Sequence, residues 1–295
     1  MKTPLKLRVL LRADMGRLRR KIQLYLPFAK AGIKTELTYK AQVFMWVIIS
    51  FVEVFFILFL YGAIYRNSPD GMDAVINGFT YTDMVLYMIT SFVVSFAMGC
   101  GETDYNIYTD IREGTIANTL TKPVSYRLRH LSTYLGMVSL DMLIVTIPLL
   151  VLTYGAFFLL GLMQVSILRF LLNLLFFFVF MILACFLNDA ISYFIGMMIF
   201  FTEHLFGLNM ARIAIQGFLS GKMVPLAYMG LLGVVFSYTP FAFLGSAPVL
   251  AIMGKTDILQ MIVYIFVALA WIIVIEIINH LIFSYAMKRV VVQGG

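Results

Sequence analysis

Continuous apolar runs of twenty residues or so recur along the whole chain, separated by short polar breaks. Each run is long enough to cross a hydrocarbon core of roughly 30 Å as a helix. Continuity rather than short-period alternation argues against barrel strands. The pattern predicts an all-α polytopic membrane protein with six transmembrane helices, at about 41–65, 79–100, 131–160, 168–187, from 190 onward, and 258–283. Turn-forming Arg66, Asn67, Ser68, Pro69, Asp70 and Gly71 end the first. Asn188 and Asp189 predict a tight turn between the fourth and fifth, and the fifth loses its clean hydrophobicity at Glu203, His204, Asn209 and Arg212. Pro148 predicts a kink within the third, where neighbouring helices can satisfy the freed carbonyl.

Two segments break this pattern before the last span. Apolar positions Leu26, Ala29, Ile33 and Leu37 alternate with Lys30, Lys34 and Lys40, which predicts an amphipathic helix with Pro27 near its start and Gly32 as a weak point. It would lie flat on the inner leaflet or pack on a partner. Residues 213–256 are apolar but punctuated by Gly217, Gly221, Pro225, Gly230, Gly233, Pro240, Gly245, Pro248 and Gly254. Short helices re-entering the outer half of the membrane suit so many breakers, with an additional pair of spans as the rival. The chain therefore divides into a basic N-terminal region (1–40), a transmembrane region (41–287) with a polar inner loop at 101–130, and a tail (288–295).

Composition sharpens this picture. Charged residues make up 13% of the chain against 62% hydrophobic, about half the charged share of a soluble protein. Eleven of the twenty-two Lys and Arg residues lie between Lys2 and Lys40, against only Asp14 and Glu36. That bias places the N-terminus in the cytosol against anionic lipid, and an even number of spans returns Lys288 and Arg289 to the same side. No aromatic-interleaved basic surface follows, so no nucleic-acid partner is expected. The first thirty residues lack an apolar run with a small-residue cleavage site, so no removable signal peptide is expected. Cys100 and Cys185 alone give neither a disulfide framework nor a metal site.

Candidate chemistry falls in two places. Asp110, Ile111, Arg112, Glu113, Gly114, Thr115 and Lys122 belong to the one long polar stretch between spans, where Thr109 or Asp110 can cap a short helix, Gly114 permits a break and Pro123 stops a second piece. A short charged helix joined to two spans can carry a partner's motion to both, although an ordinary solvated loop fits the residues equally well. Elsewhere, Glu53, Asp141, Glu203 and Glu276 lie within predicted spans, His204 adjoins Glu203, and Glu276 and His280 are four apart on one helical face. A carboxylate costs about 2.5–3.5 kcal/mol at the bilayer centre, so these face the bundle interior. They serve either a substrate or proton path or hydrogen bonding between helices.

His130, His204 and His280 show no metal-ligand spacing. Nor is there a phosphate-cradling loop: Gly217, Gly221 and Lys222 are too close together, Lys255 and Thr256 lack the first glycine, and both segments are expected outside. No catalytic residue is expected in the chain, and energy must come from another protein or an ion gradient.

The stretch Asp110, Ile111, Arg112, Glu113, Gly114, Thr115, followed by Lys122, Pro123, Val124 and Ser125, resembles the D-I-R-E-G-T and basic-Pro-Val-Ser segments of the permease subunits of ATP-binding-cassette transporters of the type-2 exporter class. Phe201, Thr202, Glu203, Gly207 and Leu208 look like a second motif of that family, with Phe201-Thr202 lacking its expected Trp, and Ser220, Gly221, Pro225, Leu226, Pro240, Phe241 and Pro248 fit its outer segment. The likeness runs from about residue 25 to 287. It implies an N-terminal interfacial helix, a cytosolic coupling helix at Asp110–Thr115, and short outer re-entrant helices before the last span. It also implies a second permease subunit, and a separate ATP-binding-cassette ATPase dimer that carries ATP and magnesium. The expectation is an export permease for an amphipathic or hydrophobic substrate in a bacterial or archaeal cytoplasmic membrane. The alternatives are a gradient-driven transporter or channel using the buried carboxylates, or a non-transporting scaffold or sensor.

Overall fold

The computed structural model describes residues 5–38, 40–99, 103–162, 165–202 and 205–288, and every structural statement concerns these. They form twelve α-helices and no β-strand. Five stretches are long and apolar enough to cross a membrane: Phe44–Arg66, Tyr81–Arg112, Tyr126–Leu159, Ile167–Met198 and Ile258–Met287. The all-α polytopic fold read from the sequence is therefore present. A sixth apolar helix, Leu205–Leu219, has 15 residues and rises only about 22 Å. That is short of a full crossing.

Helix α1 (Leu5–Thr38) precedes the first long apolar helix, α2 (Lys40–Arg66). Pro27, expected near the start of the amphipathic helix, lies inside α1. Gly32 is a contact point instead of a weak one, because α1 is docked on α6 (Tyr126–Asp141). A Cβ on Gly32 would lie 2.2 Å from the Thr133 carbonyl oxygen, and one on Gly136 would lie 2.0 Å from that of Ala29. Only glycines let the two backbones come this close, as at small-residue helix crossings in membranes.

Helix α3 (Tyr81–Gly99) starts at a capping box: Thr80 Oγ1 accepts from the Asp83 amide at 3.1 Å, and the Thr80 amide donates to Asp83 Oδ2 at 3.0 Å. Two short helices, α4 (Thr103–Arg112) and α5 (Thr115–Leu120), lead to α6, whose N-cap is Ser125. A π-turn, Met142–Thr146, joins α6 to α7 (Ile147–Leu159), with Pro148 in the first turn of α7. The missing N–H and bulky ring of Pro148 are thus absorbed by one wide turn.

Helix α8 (Ile167–Met198) corrects one expectation. Asn188 and Asp189 do not turn the chain: both are buried within this 32-residue helix. Their polarity is satisfied across the bundle. Asn188 Nδ2 donates to the Met98 carbonyl at 2.8 Å and to Tyr134 Oη at 3.1 Å, and Asp189 accepts from Thr103 Oγ1 at 2.7 Å. At about 48 Å, α8 is longer than a hydrocarbon core, and its C-terminal third packs on α4. Helices α9 (Leu205–Leu219), α10 (Leu231–Phe236) and α11 (Ser246–Met253) follow, with 3₁₀ turns at Leu226–Met229 and Pro240–Leu244, before α12 (Ile258–Met287).

The core gathers α3, α8, α11 and α12 around buried Tyr87, Phe177, Phe180, Phe243, Val249 and Ala268. By contrast α2 leaves Phe51, Phe55, Phe56 and Phe59 exposed along its length. The end of the bundle carrying α4 and α5 is called proximal below, and the end carrying the turn at 67–80 distal.

Candidate functional site

At the proximal end, α4 lies so close against α8 that a Cβ on Gly196 would lie 2.8 Å from Ile107 Cδ1 and 3.1 Å from Asp104 Cα. Ile107, Ile116, Tyr126, Tyr193, Met197 and Ala286 form a small separate core there, with Ile111 packed against it. Burial of these side chains fixes α4 and α5 to α6, α8 and α12. The chain between α4 and α5 turns at Gly114, whose φ of +70° is the left-handed region that favours glycine. Arg112, Glu113 and Gly114 are exposed at this tip, and Arg112 donates to Tyr108 Oη one turn back.

Behind the exposed tip sits a joint of charged groups. Asp110 lies inside α4, not at its cap. Its carboxylate accepts from Thr115 Oγ1 at 3.0 Å and Tyr126 Oη at 3.1 Å, with Arg129 Nη1 at 3.5 Å and His130 Nε2 at 3.6 Å. One carboxylate thus ties α4 to α5 and α6. Arg127 on α6 reaches further. It pairs with fully buried Asp189 on α8, donates from Nε to both Glu276 oxygens at 3.1 Å on α12, and lies 4.7 Å from the Tyr193 ring centroid. Asp189 in turn accepts from Thr103 at the start of α4. Arg212 on α9 completes the set, donating to Ser192 Oγ at 2.8 Å and standing 3.7 Å from buried Asp104 Oδ2. Charge-assisted contacts thus connect α4 with α6, α8, α9 and, through Arg127, α12.

Lys122 and Arg129 rim a cavity of about 290 Å³ between this joint and Phe28 and Ala31 of α1. The Tyr25 hydroxyl on α1 accepts from the Ser125 amide at 3.0 Å, so the N-terminal helix also touches the joint.

The in-span candidates separate in space. Glu276 belongs to the proximal joint, while His280, one turn along α12, is exposed. Asp141 is buried at the C-terminal end of α6, beside the π-turn. Glu53, halfway along α2, lies 3.3 Å from Lys222 Nζ. Glu203 and His204 fall outside the described residues.

Lys222, within the breaker-rich segment, sits in a turn beside the middle of α2 and α3. Gly221 makes this possible at φ +77°, and its carbonyl accepts from Tyr87 Oη at 2.8 Å while that of Lys222 accepts from Ser91 Oγ at 3.3 Å. Arg127, Asp189 and Arg212 were missed as functional candidates. The signal that could have found them is charge of both signs next to hydrophobic runs, since a charge at that depth requires a partner.

The fold and the joint together define a multi-pass membrane protein with a charged, cross-linked end and an apolar body. Comparison with protein families is specific: residues 51–294 match the model described as ABC-2 family transporter protein. The chain belongs to that family, and is a transport permease. None of the curated proteins compared with the chain matches it. Membership implies association with an ATP-binding partner.

Proposed function

We propose that this chain is the permease subunit of an ATP-driven exporter. A separate ATPase dimer, holding ATP and magnesium, bears on the α4–α5 tip and drives an amphipathic or hydrophobic substrate out of the cytoplasm. The observation that carries this reading is the pairing of an exposed Arg112-Glu113-Gly114 tip with a buried joint. The tip offers charge of both signs to a partner. The joint links it through Asp110 and Arg127 to α6, α8 and α12. Both termini face the cytosol of a bacterial or archaeal cell in this reading, on the strength of the basic N-terminal forty residues.

The bare apolar side of α2 supports contact with a second permease subunit, with lipid covering the remainder. A gradient-driven transporter would call on in-span carboxylates, but Glu53 and Glu276 are each engaged by a cation. Coupling through the tip is therefore the better-supported drive.

The test is an Arg112→Ala, Glu113→Ala double variant, purified with the ATP-binding protein that accompanies the wild type. Co-purification or ATP-dependent transport is expected to fall about tenfold, with the thermal unfolding midpoint unchanged because both side chains are exposed. Wild-type co-purification together with wild-type transport overturns the proposal.

A further inference from the structure

The Glu53–Lys222 pair is a charged feature that the proximal joint does not use. It lies halfway along α2, in a collar of Val54, Ile57, Met88 and Phe92, with the two side chains about 30% exposed. A charge turned toward hydrocarbon at that depth is costly. The exposed part must then face protein, water or a ligand. The space beside the pair is only about 10 Å³, room for no more than one water. The enclosed space has no room for a ligand, so one that comes in on the exposed side meets two charges already paired and engages either of them by displacing the other.

That replacement selects for charge. A purely anionic ligand taking Lys222 leaves Glu53 uncompensated in an apolar collar, and a purely cationic one taking Glu53 strands Lys222; either outcome carries the desolvation penalty of a broken pair. A zwitterion exchanges partners at both ends and leaves no charge unpaired. The apolar body of such a ligand has a surface to lie on: Phe51 and Phe55 of α2 are more than half exposed nearby, and the Phe51 ring packs at a tilt against that of Phe92, centroids 6.1 Å apart. Lys222 is also suited to move, because its ammonium sits on a flexible four-carbon stem while Glu53 is fixed to a helix.

We infer that Glu53 and Lys222 form the headgroup subsite of the translocation path and take a zwitterionic amphiphile, one carrying an ammonium and an acidic group on an apolar body. This rests on the transport reading above and adds the substrate class to it.

The experiment measures binding of submicellar dodecylphosphocholine to the full chain in nanodiscs, by native mass spectrometry or calorimetry without nucleotide. Dodecyl sulfate, dodecyltrimethylammonium and dodecyl maltoside serve as anionic, cationic and uncharged comparisons. The wild type is expected to prefer the zwitterion by about tenfold. Glu53→Gln should move the preference to the sulfate, and Lys222→Gln to the trimethylammonium. The exchange Glu53→Lys with Lys222→Glu should restore the zwitterion preference, which also guards against variants that merely fold poorly.

Equal binding of all four amphiphiles overturns the inference, as does a ranking that the variants leave unchanged. So does absence of binding to the wild type, the result expected if a second copy of the chain seals the pair. Because the measurement uses neither ATP nor a partner, the ATP-driven reading can fail in its own test while this pattern stands, and the reverse.

Discussion

The proximal and distal ends of the bundle are held together by different chemistry. At the proximal end, Asp110, Asp104, Asp189, Glu276, Arg127, Arg129 and Arg212 join helices through ion pairs, and the exposed stretches are the tip at 112–114 and the turn at 120–123. At the distal end a single ion pair, Lys255–Asp83 at 2.7 Å, stands beside phenols that hold an irregular chain by its carbonyl oxygens. Tyr65 Oη donates to the Phe79 carbonyl at 2.8 Å with Tyr228 Oη 3.0 Å away, Tyr61 Oη donates to that of Met223 at 3.4 Å, and Trp271 Nε1 donates to that of Tyr238 at 2.8 Å. Charge-assisted contacts shared among five helices resist being parted one at a time, whereas single neutral hydrogen bonds can exchange individually. The proximal end is thus cross-linked by shared charge-assisted contacts, and the distal end mostly by single neutral ones.

Three substitutions break this contrast, in descending order of effect. Arg127→Ala strands fully buried Asp189 and leaves Glu276 without its cation. Removing one member of such a pair costs about 3–5 kcal/mol, so the unfolding midpoint of the purified chain should fall more than in either other variant. An unchanged midpoint would show that the joint is not what holds the proximal end.

Gly136→Leu attacks the α1 contact. Its side chain would occupy the place of the Ala29 carbonyl, and overpacking of this kind costs about 1–3 kcal/mol. The larger consequence should be local: α1 lifts from α6, and its backbone around 25–35 becomes open to protease while α8 stays protected.

Tyr65→Phe should be the mildest. It removes one hydroxyl between Phe79 and Tyr228, worth about 1 kcal/mol or less in a membrane protein. Hydrogen exchange would resolve it, with amides at 223–230 exchanging faster and those at 103–112 unaltered. Equal acceleration at both ends would mean that the two are not independently fastened.

Much of this was legible in the chain. The apolar runs mark α2, α3, the α6–α7 unit, α8 and α12, because a bilayer imposes length and hydrophobicity on every crossing. Gly114 was readable as a break, and the charges around it as an exposed polar tip. The joint behind the tip was not. Arg127 meets Asp189 sixty-two residues later and Glu276 one hundred and forty-nine later, and no periodicity links positions so far apart. Asn188-Asp189 looked like a turn for the same reason: a polar pair between apolar runs reads as a chain reversal unless its buried partners are visible. The breakers around Lys222 signal a re-entrant segment without saying which side chain it meets, so its pairing with Glu53 was not legible.

The crossing of α1 with α6 also bears on the order in which the protein is made. Synthesis proceeds from the N-terminus, so α1 emerges roughly a hundred residues before Thr133 and Gly136, the groove into which Ala29 and Gly32 fit. Until the α6 segment has emerged and been inserted, the basic helix has no seat in its own chain. A helix translated ahead of α6 is thus locked only once α6 is in place.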